Sequence, residues 1–171
     1  MAGVGRELHW SLGKRLAFRF LVTYFLLHAG TALCQLIPLV GAGIAAALDS
    51  ALQPFFVWVG KVVFGVEITV FPNGSGDTTY NWVQFATNLV LAGFATLIWT
   101  VLDRRSRAYP RLGDGLWIAM RFTLGWAMLS YGINKIFALQ FPEPGMQRLL
   151  QTYGDSSPMG LMWTFMGASQ P

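Results

Sequence analysis

Three rows of polar residues interrupt an otherwise apolar chain. Tyr24, His28, Thr31 and Gln35 follow one another at intervals of four, three and four; Asn81, Gln84 and Asn88 at three and four. Arg121, Gly125, Met128, Gly132 and Lys135 alternate the same intervals, with Tyr131 and Asn134 beside the last two. On helices these spacings put each row on one face. Lys135 and His28 can offer donors to an anion or to a quinone carbonyl, with Tyr131 assisting. The competing reading is packing: glycines admit a neighbouring backbone, and Asn, Gln or His bond across helices for about 0.6 to 2 kcal/mol each. Arg121 and Lys135 lie roughly 21 Å apart at 1.5 Å per residue, so each can also snorkel to its own headgroup layer.

The elements that must carry these rows follow from charge. Of 171 residues, 54% are apolar and 12% charged, about half the charge of a soluble domain. Phe20 to Leu48 and Thr78 to Leu102 hold no charge, and thirteen uncharged residues separate Arg121 from Lys135. A spanning helix needs about 20 largely apolar residues. We therefore expect spans at Leu16 to Leu36, about Thr79 to Leu102 with Asp77 as its cap, and about Leu116 to Phe137. A fourth apolar stretch, Pro158 to Ala168, is led by Asp155-Ser156-Ser157-Pro158, which is N-cap chemistry with proline in the first turn. It ends without a basic flank, so a longer parent protein is expected. The first span is read as retained, since no small-x-small cleavage pattern follows it and Leu33 precedes Cys34 where a lipoprotein anchor needs a small residue.

Cation counts orient the chain. The lead carries Arg6, Lys14, Arg15 and Arg19, and the Asp103 to Asp114 loop carries Arg104, Arg105, Arg107 and Arg111; the opposite segments hold Lys61 and Arg148. Eight against two places the N-terminus and the Arg-rich loop in the cytoplasm and turns the net charge of +4 into an orientation signal rather than a nucleic-acid surface.

On the outer side, Gly41 to Gln53 and Pro54 to Phe64 read as two short interfacial helices marked by Asp49, Gln53 and Lys61, with Trp58 at headgroup level. Phe71 to Gly76 reads as a turn containing an incidental Asn-Gly-Ser sequon. Thr31, Gln35, Asn81, Gln84, Asn88, Tyr131, Asn134 and Lys135 then share the outer half of the bilayer. The candidate outer-face pocket comprises His28, Asn88, Tyr131, Asn134 and Lys135, with Asp77 and Asp155 above it. An echo marks the same side: Phe71-Pro72 precedes Gly76-Asp77-Thr78-Thr79, and Phe141-Pro142 precedes Gly154-Asp155-Ser156-Ser157. Two N-caps are one account. The other brings Asp77 and Asp155 together at the bundle mouth, within reach of Lys135 or Arg148. The chain lacks a Cys-x-x-Cys, a His pair at metal spacing, a phosphate-binding glycine loop and a Ser-His-Asp set. Cys34 is read as a small core hydrophobe, and a haem on His28 lacks a second ligand, His9 lying outside the membrane.

The run Arg121-Phe-Thr-Leu-Gly125-Trp-Ala-Met-Leu-Ser-Tyr131-Gly132-Ile-Asn-Lys135-Ile-Phe137 resembles the opening helix of DoxX-type membrane proteins, and Leu139 to Gly167 resembles uncharacterised bacterial DoxX-like proteins. The resemblance implies a four-helix unit in the bacterial cytoplasmic membrane, in some relatives tied to thiosulfate:quinone oxidoreduction or oxidative stress. Arg121, Gly125, Gly132 and Lys135 carry over by position; the family's later helices do not occur within these residues.

The reading as a whole is an all-α, multi-pass transmembrane helical bundle with short interfacial helices on its outer face. Its parts are a cytoplasmic lead (1–15), a two-span extension (16–102) with an outer insertion (37–77), an Arg-rich loop (103–115) and an incomplete DoxX-like unit (116–171). The leading expectation is a membrane subunit of a quinone-linked redox or stress system, with quinone as the candidate cofactor and no metal. The alternative is a non-catalytic scaffold. Lipid and a membrane or periplasmic protein are the expected partners.

Overall fold

A computed structural model describes residues 9–70, 76–137, 139 and 141–168. The expected turn and sequon at 71–75, and Arg6, lie outside the described residues. All regular structure among the described residues is helical: α1 (Leu12–Gln35), α2 (Gly41–Val63), α3 (Thr79–Leu102), α4 (Pro110–Ile136), a single turn α5 (Met146–Leu149), a 3-10 turn at Tyr153–Asp155, and α6 (Pro158–Ala168). Three of these, α1, α2 and α3, are long and apolar enough to cross a membrane. The chain is an all-α membrane protein.

Several boundaries move from the sequence expectation, each for a local reason. The first helix begins at Leu12 because Ser11 Oγ accepts from the Lys14 amide at 3.3 Å, an N-cap bond that lets the basic lead wind into the helix. The two short helices expected at 41–64 are one helix of 23 residues. Pro54 lies inside it and has no N–H to give to the Ser50 carbonyl. Breaking the helix there would free further backbone groups among apolar side chains, so continuing it is cheaper. At its end Gly65 takes φ 66°, a left-handed conformation that favours glycine, and the Val66 amide returns to the Gly60 carbonyl at 3.0 Å. The fourth helix starts at Pro110, not Leu116, with proline in the first turn where its missing N–H costs nothing. The Arg-rich loop is correspondingly shorter, and Arg111 and Asp114 are helical. With Arg111, Asp114, Arg121 and Lys135 along its 27 residues, α4 is not among the three span-capable helices, although a third span was expected within it.

The chain separates into two compact units, Met1–Ala45 with Asn88–Thr123, and Ala46–Thr87 with Leu124–Pro171. In the first, α1 and α3 meet through small and hydroxylated residues. Ala92 is fully buried, Thr23 Oγ1 donates to the Arg19 carbonyl at 2.9 Å and lies 3.5 Å from Thr96 Oγ1, and Thr96 donates to the Ala92 carbonyl at 2.7 Å. Small residues at a helix contact let backbones approach, which is what stabilises helix pairs where lipid removes the hydrophobic drive. Gly41 makes a second close approach: a Cβ there would collide with the Cys34 carbonyl. In the second unit Phe56, Val59 and Val83 are buried, and Phe56 packs edge-on against Tyr80 with centroids 6.0 Å apart.

Candidate functional site

The seven residues expected to form a pocket are distributed over both units. His28 and Asn88 belong to the first. His28 is exposed and stacks on Tyr24 one turn earlier, ring centroids 5.4 Å apart. Asn88 is 2% exposed, and its Nδ2 donates to the Leu27 carbonyl at 3.5 Å, a long bond that ties α3 to α1. Tyr131, Asn134 and Lys135 belong to the second unit and are all exposed.

Asp77 and Asp155 do come together. Both Gly-Asp-hydroxyl-hydroxyl turns line one cavity of about 280 Å³, whose walls are Asp77, Thr78 and Thr79 from one turn, Gly154 to Pro158 from the other, and Glu67 and Thr69. Tyr131, Asn134 and Lys135 are not among its lining residues. The capping chemistry differs from the expectation. The side chain that accepts from the Asn81 amide at the start of α3 is Thr78, at 3.3 Å. Asp77 Oδ2 instead reaches across the chain to accept from the Met159 amide of α6 at 3.0 Å, while Ser157 Oγ accepts from the Gly160 amide at 3.0 Å. Two of the orphan N–H groups of α6 are thus satisfied by two different segments, and the carboxylate sits at the positive end of the helix dipole.

Among the described residues no cationic side chain lines this cavity. Arg148 donates through Nε to Thr164 Oγ1 at 2.6 Å and through Nη1 to Gln151 Oε1, so neither carboxylate receives it. Asp155 is tied locally: Thr152 Oγ1 donates to its Oδ2, and Gln151 Nε2 donates to its carbonyl at 2.7 Å. The cavity is a joint between two turns, with three carboxylates and five hydroxyl-bearing residues on its wall.

A second polar constellation lies in the first unit. Arg19, counted in the sequence only as an orientation cation, is 1% exposed. Its Nε donates to Tyr109 Oη at 2.9 Å, Nη1 to Thr100 Oγ1 at 2.8 Å, and Nη2 to the Asp103 carbonyl at 2.7 Å and again to Tyr109 Oη. Tyr109 in turn donates to Asp103 Oδ2 at 2.7 Å, which lies 3.9 Å from Nη2. The guanidinium carbon stands 5.9 Å from the Trp99 ring centroid and 5.4 Å from that of Tyr109, within cation–π range. Phe18 stacks on Tyr109 at 5.6 Å and meets Trp10 edge-on at 5.0 Å. The Asp103 carboxyl is lowered to about 2, first by its bond with Ser106, then by Tyr109, and to a lesser degree by Arg19. The signal available in the sequence was the spacing of Asp103 and Tyr109 around the loop, but nothing in that spacing pairs them with a residue some eighty positions earlier.

Comparison with protein-family models, with curated proteins and with solved structures finds no match. Among the described residues no group of three or more His, Cys, Asp or Glu is arranged to hold a metal ion.

Proposed function

We propose that this chain is a non-catalytic subunit of a membrane complex, anchored by its apolar helices and joined to a further membrane helix along α4. The observation that carries this reading is that α4 buries none of its 27 residues, although Trp117, Phe122, Trp126 and Met128 are large and apolar and stand exposed. A Cβ added at Gly125 or at Gly132 would meet nothing within 4 Å, so the glycine stripe has open space beside it. Open small-residue stripes flanked by Arg and Lys suit a helix that approaches closely and offers polar partners. We place the chain in the bacterial cytoplasmic membrane with its N-terminus inside. The supporting contact is the Trp10 amide donating to the Arg107 carbonyl at 3.0 Å, which puts both basic segments at one end of α1 and α3, as the positive-inside bias requires.

The test is native electrophoresis of gently solubilised membranes from the source organism carrying Gly125→Leu and Gly132→Leu. The expected result is loss of a higher-mass species and release of the chain alone. An unchanged species with both leucines in place would overturn the reading.

A quinone-linked redox or oxidative-stress subunit, as the DoxX resemblance implies, is a second proposal. It draws on one observation: Tyr131, Asn134 and Lys135 present a phenol, an amide and an ammonium within about a turn of one another on the exposed end of α4. Quinone extracted in stoichiometric amount with the wild-type protein and absent from Lys135→Met would favour it; none from either preparation would end it.

A further inference from the structure

The first unit contains a cleft that the proposed function leaves unused. It has a volume of about 690 Å³ and is lined by His9, Trp10, Arg15, Arg104, Arg105 and Arg107. Four of the six are arginines and none is acidic. Such a concentration of like charge is unfavourable unless solvent or an anion answers it.

Its walls are held by hydrogen bonds between the lead and the Arg-rich loop. The Trp10 amide donates to the Arg107 carbonyl at 3.0 Å, fixing the lead onto the loop. Arg15 Nη1 donates to the Ser106 carbonyl at 3.1 Å, while its Nε is buried without a hydrogen-bond partner. Arg104 Nε donates to the Val101 carbonyl at 3.2 Å, and Arg107 Nη1 lies 3.2 Å from His9 Nε2. Asp103, adjacent in sequence to Arg104, is engaged by Ser106, Tyr109 and Arg19. Arginine rather than lysine throughout is the choice that suits a planar, two-point grip on phosphate oxygens.

Depth identifies the source of that phosphate. Arg15 lies in the first turn of α1, and Arg104 and Arg105 follow α3 by two and three residues. Both helices are long enough to span a bilayer, so the cleft lies where headgroups lie. Basic pockets at the ends of membrane helices bind anionic headgroups by this chemistry.

We propose that this cleft is a binding site for a phosphate group, supplied by the headgroup of an anionic phospholipid and gripped by Arg15, Arg104 and Arg105. The whole protein in neutral detergent is titrated calorimetrically with short-chain phosphatidic acid, short-chain phosphatidylcholine and inorganic phosphate. Phosphatidic acid is expected to bind at least tenfold more tightly than phosphatidylcholine. The double variant Arg104→Lys with Arg105→Lys keeps the charge but loses the fork; both side chains are exposed, and its melting temperature is expected to match wild type. It is expected to bind phosphatidic acid at least fivefold more weakly. Inorganic phosphate binding as tightly as phosphatidic acid would leave the phosphate site standing but overturn the headgroup as its source. Equal binding of phosphatidic acid by the lysine variant would reduce the cleft to a diffuse basic surface and overturn the site, as would no binding of either phosphate compound.

Discussion

The arginine knot at the start of α1 and the acidic cavity between the two Gly-Asp turns handle charge in opposite ways. In the knot, one buried cation is surrounded by acceptors from a loop and a neighbouring helix: a phenol, a hydroxyl, a carbonyl and a carboxylate, all on Thr100, Asp103 and Tyr109. In the cavity, three carboxylates gather with no cationic side chain among the described lining residues; Asp77 accepts from a backbone amide and Asp155 from a hydroxyl. The difference teaches what each charge is for. A guanidinium taken out of water needs every donor answered, so the knot is structure bound to a particular tertiary arrangement. A carboxylate at a helix start needs only an N–H already there: Asp77 finds one at the start of α6, while Asp155 is answered within its own turn by the Thr152 hydroxyl.

The largest effect that would break this contrast is Arg19→Ala. The change removes a buried guanidinium together with its bonds to Tyr109, Thr100 and the Asp103 carbonyl; large-to-small changes at such buried sites cost about 2 to 5 kcal/mol, while Tyr109 and Thr100 keep their own bonds to Asp103 and to the Thr96 carbonyl. Thermal unfolding in detergent should show a loss of that order; a change below about 1 kcal/mol would mean that water or lipid already answers the guanidinium.

A smaller loss is expected on acidification, through Asp103. Its carboxyl is lowered from 3.8 to about 2, so the folded state holds the proton less tightly than the unfolded chain. The sign follows: the stabilisation is fully present above about pH 4, and is lost progressively as pH falls through about 2. Asp103→Asn should flatten that part of the stability curve relative to wild type. An unchanged slope would show that the carboxyl has its ordinary affinity for protons.

Asp77→Ala sharpens the other side of the comparison. Deleting an N-cap acceptor typically costs about 1 kcal/mol, and the loss should be localised: the Met159 amide should exchange with deuterium faster, while amides of α1 do not. Asp77→Asn, which can still accept, should lie between the two. The smallest effect belongs to Lys135→Met. An exposed side chain of this kind usually changes stability by less than about 0.5 kcal/mol, so a large loss would reveal a partner for Lys135 beyond the described residues.

Much of the helical framework could be read from the residues. The bounds of α3 and α6 coincide with the expectation because charge-free windows end at Asp103 and because Ser157-Pro158 is a start signal read locally. Pro54 misled for an instructive reason: proline weakens a helix by one bond in any surroundings, but the cost of stopping depends on whether water is there to solvate the freed groups. Of the expected site, the Asp77 and Asp155 turns were legible as an echo. The cap exchange, in which Asp77 serves α6 and Thr78 serves α3, was not, because an acceptor does not encode which helix start will lie above it.

What the residues determine alone is the solvent and the helices. With 20 charges in 171 residues, long stretches can satisfy their backbone in lipid only as helix, and every such decision is made within a few turns of chain. Which charges are buried was decided only by tertiary structure. Arg19 and Arg15 sit four residues apart on the same helix, yet one is enclosed by Tyr109, Thr100 and Asp103 and the other lines an open cleft. Their fates differ because the acceptors come from residues some eighty to ninety positions away, and a sequence carries no distance between segments until packing supplies it.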